Sequence, residues 1–210
     1  IELQQTINEW VLRQVFLRIT ETSKSETQHH FLVNVTEAWF SDITLFNWLQ
    51  KILSQTKKYT PGKSIILEIP IDIFNKHKKR AKPLIDTLCK SHSFRIALSN
   101  IKTIDTISTD CELTSSKMLI MGIEKLQQLT TVLSPVSNNE SNETEEEQEK
   151  QNLLQYLKSK NIRIITEGIE DATLLTDAIT VGTDYAIGNF IGEVQTNLVD
   201  SSTIESFDLT

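Results

Sequence analysis

Ile162-Arg163-Ile164-Ile165-Thr166-Glu167-Gly168-Ile169-Glu170-Asp171 is the stretch on which the fold turns. Ile162 to Ile165 is apolar apart from one arginine and reads as a short buried strand. Glu167 closes that strand where the chain leaves it. The pattern predicts a helix over about 171–180, and Thr183-Asp184-Tyr185-Ala186-Ile187 then reads as another short strand. Strand, helix and strand in this order make a βαβ unit, in which two parallel strands lie side by side under a helical cover.

The same alternation runs back through the chain. His30-Phe31-Leu32-Val33-Asn34-Val35 reads as a buried strand, and so does Ser64-Ile65-Ile66-Leu67-Glu68-Ile69, which follows the Pro61-Gly62 turn. Pro70 ends that second strand, because proline cannot donate to a central ladder. Phe94-Arg95-Ile96-Ala97-Leu98 and Lys117-Met118-Leu119-Ile120-Met121 supply a third and a fourth. Between the strands, Ile7, Trp10, Val11, Val15, Phe16 and Ile19 recur at helical spacing and predict an amphipathic helix over 2–20. Ser41-Asp42 offers a cap before Leu45, Trp48, Leu49 and Ile52. Further helices are expected over about 72–91, with a kink at Pro83, over 123–133 and near 146–159. About six βα units result, so the fold class is α/β. An open doubly wound sheet and most of an eight-stranded barrel share this pattern, and periodicity does not choose between them.

A chain of 210 residues, 39% of them hydrophobic, suits one domain over 1–210 with a continuous core, slightly short of the usual barrel length. Ser134 to Lys150 is almost empty of apolar residues and rich in Ser, Asn and Glu. It is expected to be an acidic mobile loop at about 134–150, with an acidic partner-binding patch as the alternative. No run approaches the roughly 20 apolar residues of a membrane span. The polar start, Ile1-Glu2-Leu3-Gln4-Gln5, has no signal-peptide pattern and no Met, so the chain is expected to be a piece of something longer.

Cys89 and Cys111 lack metal-ligand spacing, and a reducing, cytoplasmic compartment is the simpler expectation. Without a secretory signal, the glycosylation triplets beginning at Asn34, Asn139 and Asn142 are chance matches. The formal net charge of -7 argues against a nucleic-acid binder. Lys76-His77-Lys78-Lys79-Arg80-Ala81-Lys82 is the one basic run. It is read as the solvated face of a helix, with a phosphate-binding patch as the alternative.

In either architecture, function collects at the carboxyl ends of the strands. Asn34 ends the first strand, Glu68 the second, Ser99 and Asn100 the third, Glu167 the fifth and Ile187 the sixth. An amide and two carboxylates converging on one barrel mouth can make a hard-metal site of oxygen ligands. The alternative is that each residue caps a strand or a neighbouring helix.

Four ordered motifs carry a resemblance to a known family. Thr166-Glu167-Gly168-Ile169-Glu170, followed by Gly182-Thr183-Asp184-Tyr185-Ala186-Ile187-Gly188-Asn189-Phe190, resembles the closing signature of EAL domains. Those domains show Ala-Glu-Gly-Val-Glu and then Gly-x-Asp-x-x-Gln-Gly-Tyr at the same spacing. Phe31-Leu32-Val33-Asn34-Val35-Thr36 is similar to their Val-Asn-Leu-Ser strand, and Leu67-Glu68-Ile69-Pro70-Ile71 to their Glu-Leu-Thr-Glu motif. The resemblance implies a TIM-like (β/α) barrel that hydrolyses cyclic-di-GMP with two divalent metals. Its ligand positions match Asn34, Glu68 and Glu167, which are also the candidate ligand-binding residues.

The departures point away from catalysis. The family's paired aspartates fall on Ser99 and Asn100, its second motif glutamate on Ile71 and its late glutamine on Ile187. Two close dications would lack the negative charge they need, so no catalytic residue and no metal ligand is assigned. No cofactor is expected, with at most a weakly held Mg²⁺ or Mn²⁺. The catalytic lysine falls on Lys117 in one register and on Leu119 in the other. The name-giving Glu-Ala-Leu segment is absent, and with it the first two strands of the barrel are expected to be missing.

Ala97-Leu98-Ser99 lies in the segment where active relatives carry Leu-Asp-Asp, and Phe207-Asp208-Leu209 echoes a short tail; both resemble the FimX type associated with type IV pili and twitching motility. That resemblance implies binding of cyclic-di-GMP without cleavage and a PilZ-type adaptor as partner, in the bacterial cytoplasm. An interaction scaffold that no longer binds nucleotide is the alternative, and a residual phosphodiesterase the third reading.

Overall fold

The computed structural model describes residues 2–22, 29–41, 43–55, 61–101, 117–122 and 155–192. The expected helix at 123–133, the acidic loop at 134–150, Cys111 and the 207–209 triplet lie outside the described residues, and of the helix near 146–159 only 155–159 is described. Six strands form one sheet: β1 (Phe31–Asn34), β2 (Ile65–Pro70), β3 (Arg95–Ser99), β4 (Met118–Gly122), β5 (Arg163–Glu167) and β6 (Tyr185–Ile187). The helices of this account are α1 (Glu2–Thr22), α2 (Ala38–Ser41), α3 (Ile43–Gln55), α4 (Ile71–Lys76), α5 (Lys78–His92) and α6 (Ala172–Val181).

Strand order settles the choice that periodicity leaves open. The strands pair in chain order, β1-β2-β3-β4-β5-β6, and every neighbouring pair is parallel. A doubly wound sheet reverses its order at a switch point, and this sheet has no reversal. The winding never changes direction, and the sheet curls into a partial barrel of six strands where a closed one has eight.

Apolar residues divide by strand parity. Val33, Leu67, Ile69, Ile96, Leu98, Leu119, Met121 and Ile164 belong to the large core, together with Leu12, Leu49, Phe74, Ile85 and Leu88 from the helices. The alternate positions Ile66, Ala97, Met118, Ile120 and Ile165, with Leu32 against them, form a second, smaller cluster on the inner face. Side chains of a strand alternate between faces, so Asn34, Glu68, Ser99, Gly122 and Glu167 share this inner face with the small cluster.

Two expectations change. The 72–91 helix is two helices, α4 and α5, and the break falls at His77 (φ -114, ψ 19) rather than at Pro83, which lies inside α5. Pro83 is the sixth residue of α5, so only the carbonyl of Lys79 loses a helical partner. In α1, Leu12, Phe16 and Ile19 are buried while Ile7 and Trp10 are exposed. That helix is apolar on both sides, and only one side meets the sheet. Ser41 is the last residue of α2, where its hydroxyl donates to the Glu37 carbonyl at 3.2 Å. Asp42 lies outside the described residues.

Around β5 and β6 the backbone is packed closely. Ile169 N–H donates to the Ile187 carbonyl at 3.1 Å, and Phe190 N–H donates to the Ile169 carbonyl at 3.1 Å. Gly188 lies so near this crossing that a Cβ there would meet the Ile169 carbonyl oxygen at 2.0 Å. Backbone cannot step aside as a side chain can. Gly188→Ala is therefore expected to destabilise by about 1–3 kcal/mol. Gly192→Ala, with nothing within 4 Å of its added Cβ, is expected to leave the melting temperature unchanged. Thermal melts of the two variants check this; equal melting temperatures would contradict the packing.

Candidate functional site

The inner-face residues at the carboxyl ends of the strands make the site. Asn34 and Glu68 are register partners across β1 and β2, and Glu167 is the partner of Gly122 on one side and of Ile187 on the other. Val35 N–H donates to the Glu68 carbonyl at 2.8 Å, which holds the end of β1 against β2. Asn8 reaches in from α1; it is buried, and its side-chain amide donates to the Thr36 hydroxyl at 2.8 Å. That contact links α1 to the loop that follows Asn34. Nothing in the sequence around Asn8 marks it, since a polar residue on a helix is ordinarily solvated.

Ser99 is buried on the same face as Glu68, and its hydroxyl lies close enough to the Glu68 carboxyl to favour the carboxylate form. Burial pushes the Glu68 carboxyl above its ordinary value, and the charge of Glu167 pushes it further, while the Ser99 hydroxyl opposes both. Glu68, Ser99 and Glu167 therefore act as one electrostatic unit. Asn100 is directed elsewhere. Its backbone is left-handed (φ 57), a conformation asparagine tolerates, and its amide donates to Asp72 at 3.0 Å. Ile187 lies beside Glu167 and is 43% exposed, an apolar residue on an otherwise polar rim.

Neither register of the expected lysine brings an ammonium to this end. Leu119 is fully buried in the helix-facing core. Lys117 precedes β4 at the opposite end of the sheet, where its ammonium donates to the Lys160 carbonyl at 3.2 Å. Two dications held close together need several anionic ligands. The unit here supplies two carboxylates, of which Glu68 is held above its ordinary value by burial, and a neutral serine hydroxyl. Among the described residues no group of three His, Cys, Asp or Glu could hold a metal ion. This donor set does not fit a two-metal centre.

No protein-family model matches the chain, and no curated protein matches it significantly. Solved structures do. The EAL domain of FimX from Xanthomonas citri, in complex with c-diGMP, superposes with a TM-score of 0.70 at 18% identity, over 91% of this chain and 70% of that one. The FimX EAL domain from Pseudomonas aeruginosa, bound to c-di-GMP, gives 0.64 at 19% identity, over 89% and 69%. YkuI of Bacillus subtilis, a protein with an EAL domain in complex with c-di-GMP and calcium, gives 0.64 at 14% identity, over 95% and 45%.

The fold is a partial EAL-type barrel.

The closing signature of this EAL-type barrel is largely structural. Asp184 accepts from the Ile164 N–H at 2.8 Å through its carboxylate, and its own N–H donates to the Ile164 carbonyl at 2.9 Å. Thr166 is buried and shares a hydrogen bond of 2.8 Å with the Thr183 hydroxyl. Gly168 takes a left-handed turn (φ 83) directly after Glu167. These contacts fix the end of β5, and with it the carboxylate, against β6.

A second polar group, at the amino ends of the strands, escapes the sequence reading. Arg95 donates to His30 Nδ1 at 2.8 Å, and Arg163 donates to the Tyr185 hydroxyl at 2.6 Å. Burial first, then the charges of Arg95 and Arg163, hold the His30 imidazole below its ordinary value. A neutral imidazole with a free Nδ1 lone pair is the form that accepts from a guanidinium. Strand parity was the available signal, since Arg95 and Arg163 stand two residues before the inner-face residues Ala97 and Ile165 and so share their face.

The raised Glu68 value has a pH consequence. The folded chain holds the Glu68 proton more tightly than the unfolded chain does, so this group's contribution to stability is complete below the ordinary value of 4.5. It is lost as the pH rises through the folded value. Glu68→Gln removes the titration and keeps an acceptor for Ser99. The variant is expected to melt above the natural chain near neutral pH, with the difference closing below about pH 4. Thermal melts across that range check it; a difference constant with pH would contradict it.

Proposed function

We propose that this domain is a catalytically silent cyclic-di-GMP effector, which binds the nucleotide at the carboxyl ends of its strands and passes the signal to a protein partner. The observation that carries the proposal is the buried Ser99 hydroxyl beside Glu68. A buried hydroxyl occupies the place that the EAL resemblance gives to an aspartate, so the position offers a donor in place of a charge. Without that charge the described residues of the site supply too little negative charge to hold two metals and generate a hydroxide between them. Binding does not need them. A dinucleotide can be held by stacking and hydrogen bonds, for which Asn34, Ser99 and the exposed Glu167 remain at the strand ends.

The similarity to FimX EAL domains whose structures contain c-di-GMP supports the nucleotide assignment. It also makes a PilZ-type adaptor the partner to seek, and control of type IV pili or twitching motility in the bacterial cytoplasm the setting to test. Among the described residues no helix is long and apolar enough to cross a membrane.

Isothermal titration of cyclic-di-GMP into the full natural chain, with and without Mg²⁺ or Mn²⁺, tests the proposal when the mixture is chromatographed afterwards. Saturable binding with the nucleotide recovered intact is expected. Absence of binding would overturn the effector reading in favour of an interaction scaffold, and a linear dinucleotide product would overturn catalytic silence.

A further inference from the structure

Helix α1 carries a second apolar face. Leu3, Ile7, Trp10 and Leu17 are 74%, 49%, 61% and 56% exposed, and Gln14, also exposed, fills the gap in their spacing. Alternating steps of four and three residues make a heptad seam, the pattern by which one helix packs along another. At about 100° per residue the centre of this seam stands nearly opposite Leu12, Phe16 and Ile19, which α1 buries in the core. The flanks of the helix are engaged separately. Gln5 donates to the Thr44 hydroxyl at 2.7 Å, and the Arg13 guanidinium lies 4.9 Å over the Trp48 ring, so one flank meets α3. Val11 and Val15, on the other flank, are partly buried against the core. Barrel helices form a ring and touch their neighbours along the flanks. Completing that ring therefore leaves the Trp10 face open.

The seam fits a second copy of itself. Leu3 and Leu17 stand seven residues on either side of Trp10, so a twofold axis at Trp10 sets each Leu3 on the second copy's Leu17 and brings the two indoles together at the centre. At their exposures the four apolar side chains leave about 400–500 Å² of open surface, toward the upper end for the largest patch of a monomer. Two such faces, with the polar side chains at their rims, bury on the order of the 1,000 Å² that a specific interface needs. Charge selects the direction. Arg13 and Arg18 flank the seam, and a parallel pair would set one against the other across it. An antiparallel pair keeps them apart.

We propose that α1 is a homodimerisation helix, which pairs antiparallel with α1 of a second copy about a twofold axis at Trp10. The inference is independent of the nucleotide reading, since none of the seam residues belongs to the strand-end group. It also accounts for an amphipathic helix that is apolar on the side turned away from its own core.

Sedimentation velocity of the full natural chain over about 1 to 200 µM tests the proposal. The mass is expected to rise from one chain to two and to stop there, as a closed twofold contact requires. Trp10→Glu and Leu17→Glu are each expected to weaken association about tenfold or more, because each sets a charge in the centre of an apolar contact. Ile179→Glu, at a position of α6 that is 59% exposed, is expected to leave association unchanged. All three positions are on the surface, and circular dichroism melts verify that the variants keep the fold. Chains with Leu3→Cys, mixed with chains with Leu17→Cys, are expected to cross-link on oxidation, while Leu3→Cys alone stays at the level of the natural chain. A natural chain that remains monomeric throughout, an assembly larger than two, or a dimer that both seam variants leave intact would each overturn the proposal. Cross-linking of Leu3→Cys alone would overturn the antiparallel arrangement.

Discussion

Two-residue alternation along parallel strands is the constraint from which the rest of this structure follows. A strand in an all-parallel sheet is covered on both faces, so every second residue is committed to the helices and the others to the inner face. Val33, Leu67, Leu98, Leu119 and Ile164 take the first role. Leu32, Ile66, Ala97, Met118 and Ile165 take the second. Continued to the carboxyl ends, the second set runs into Asn34, Glu68, Ser99 and Glu167. A slip of one residue in any strand would carry its site residue to the helical face and expose its core residue in exchange. Fold and site are therefore specified by the same register.

Within that frame, the chemistry of the site rests on what stands beside Glu68. A carboxylate half-buried next to a second carboxylate is a poor place for negative charge, and the Ser99 hydroxyl relieves only part of the penalty. A pair of aspartates in the third strand would intensify the repulsion and demand cations. Serine adds no charge there, and the Asn100 amide is turned to Asp72. The carboxyl end of the inner face is a neutral-to-acidic hydrogen-bonding surface. The opposite end of the same face is cationic, with Arg95 and Arg163 tied to His30 and Tyr185. Among the described residues β1 and β6 are the outer strands of the sheet, and a closed barrel pairs such edges with further strands.

Much of this was legible in the sequence, for identifiable reasons. The six strands could be read because buried parallel strands are continuous apolar runs, and each lies within a residue or two of its expected place. Asn34, Ser99 and Glu167 were recognisable because polar residues that end such runs stand out. Strand order was not legible, because periodicity reports what each segment buries and not which neighbour it meets. The break at His77 was hidden behind Pro83, the more conspicuous residue, which sits early enough in α5 to be accommodated. The partners of Ser99 and Asn100, and the burial of Asn8 against Thr36, are tertiary contacts between segments far apart in the chain. The arginine group at the amino ends was overlooked because single charged residues at strand starts resemble solvated edges.

The central claim is that cyclic-di-GMP is held by these strand ends and left whole. Phosphorus NMR of the nucleotide with the full chain and Mg²⁺ tests it most directly, because one spectrum reports both binding and cleavage. The account predicts that the phosphodiester resonance shifts and broadens as protein is added while its integral stays constant over hours. A resonance that neither shifts nor broadens at saturating protein, or one replaced by a phosphomonoester signal, would contradict it.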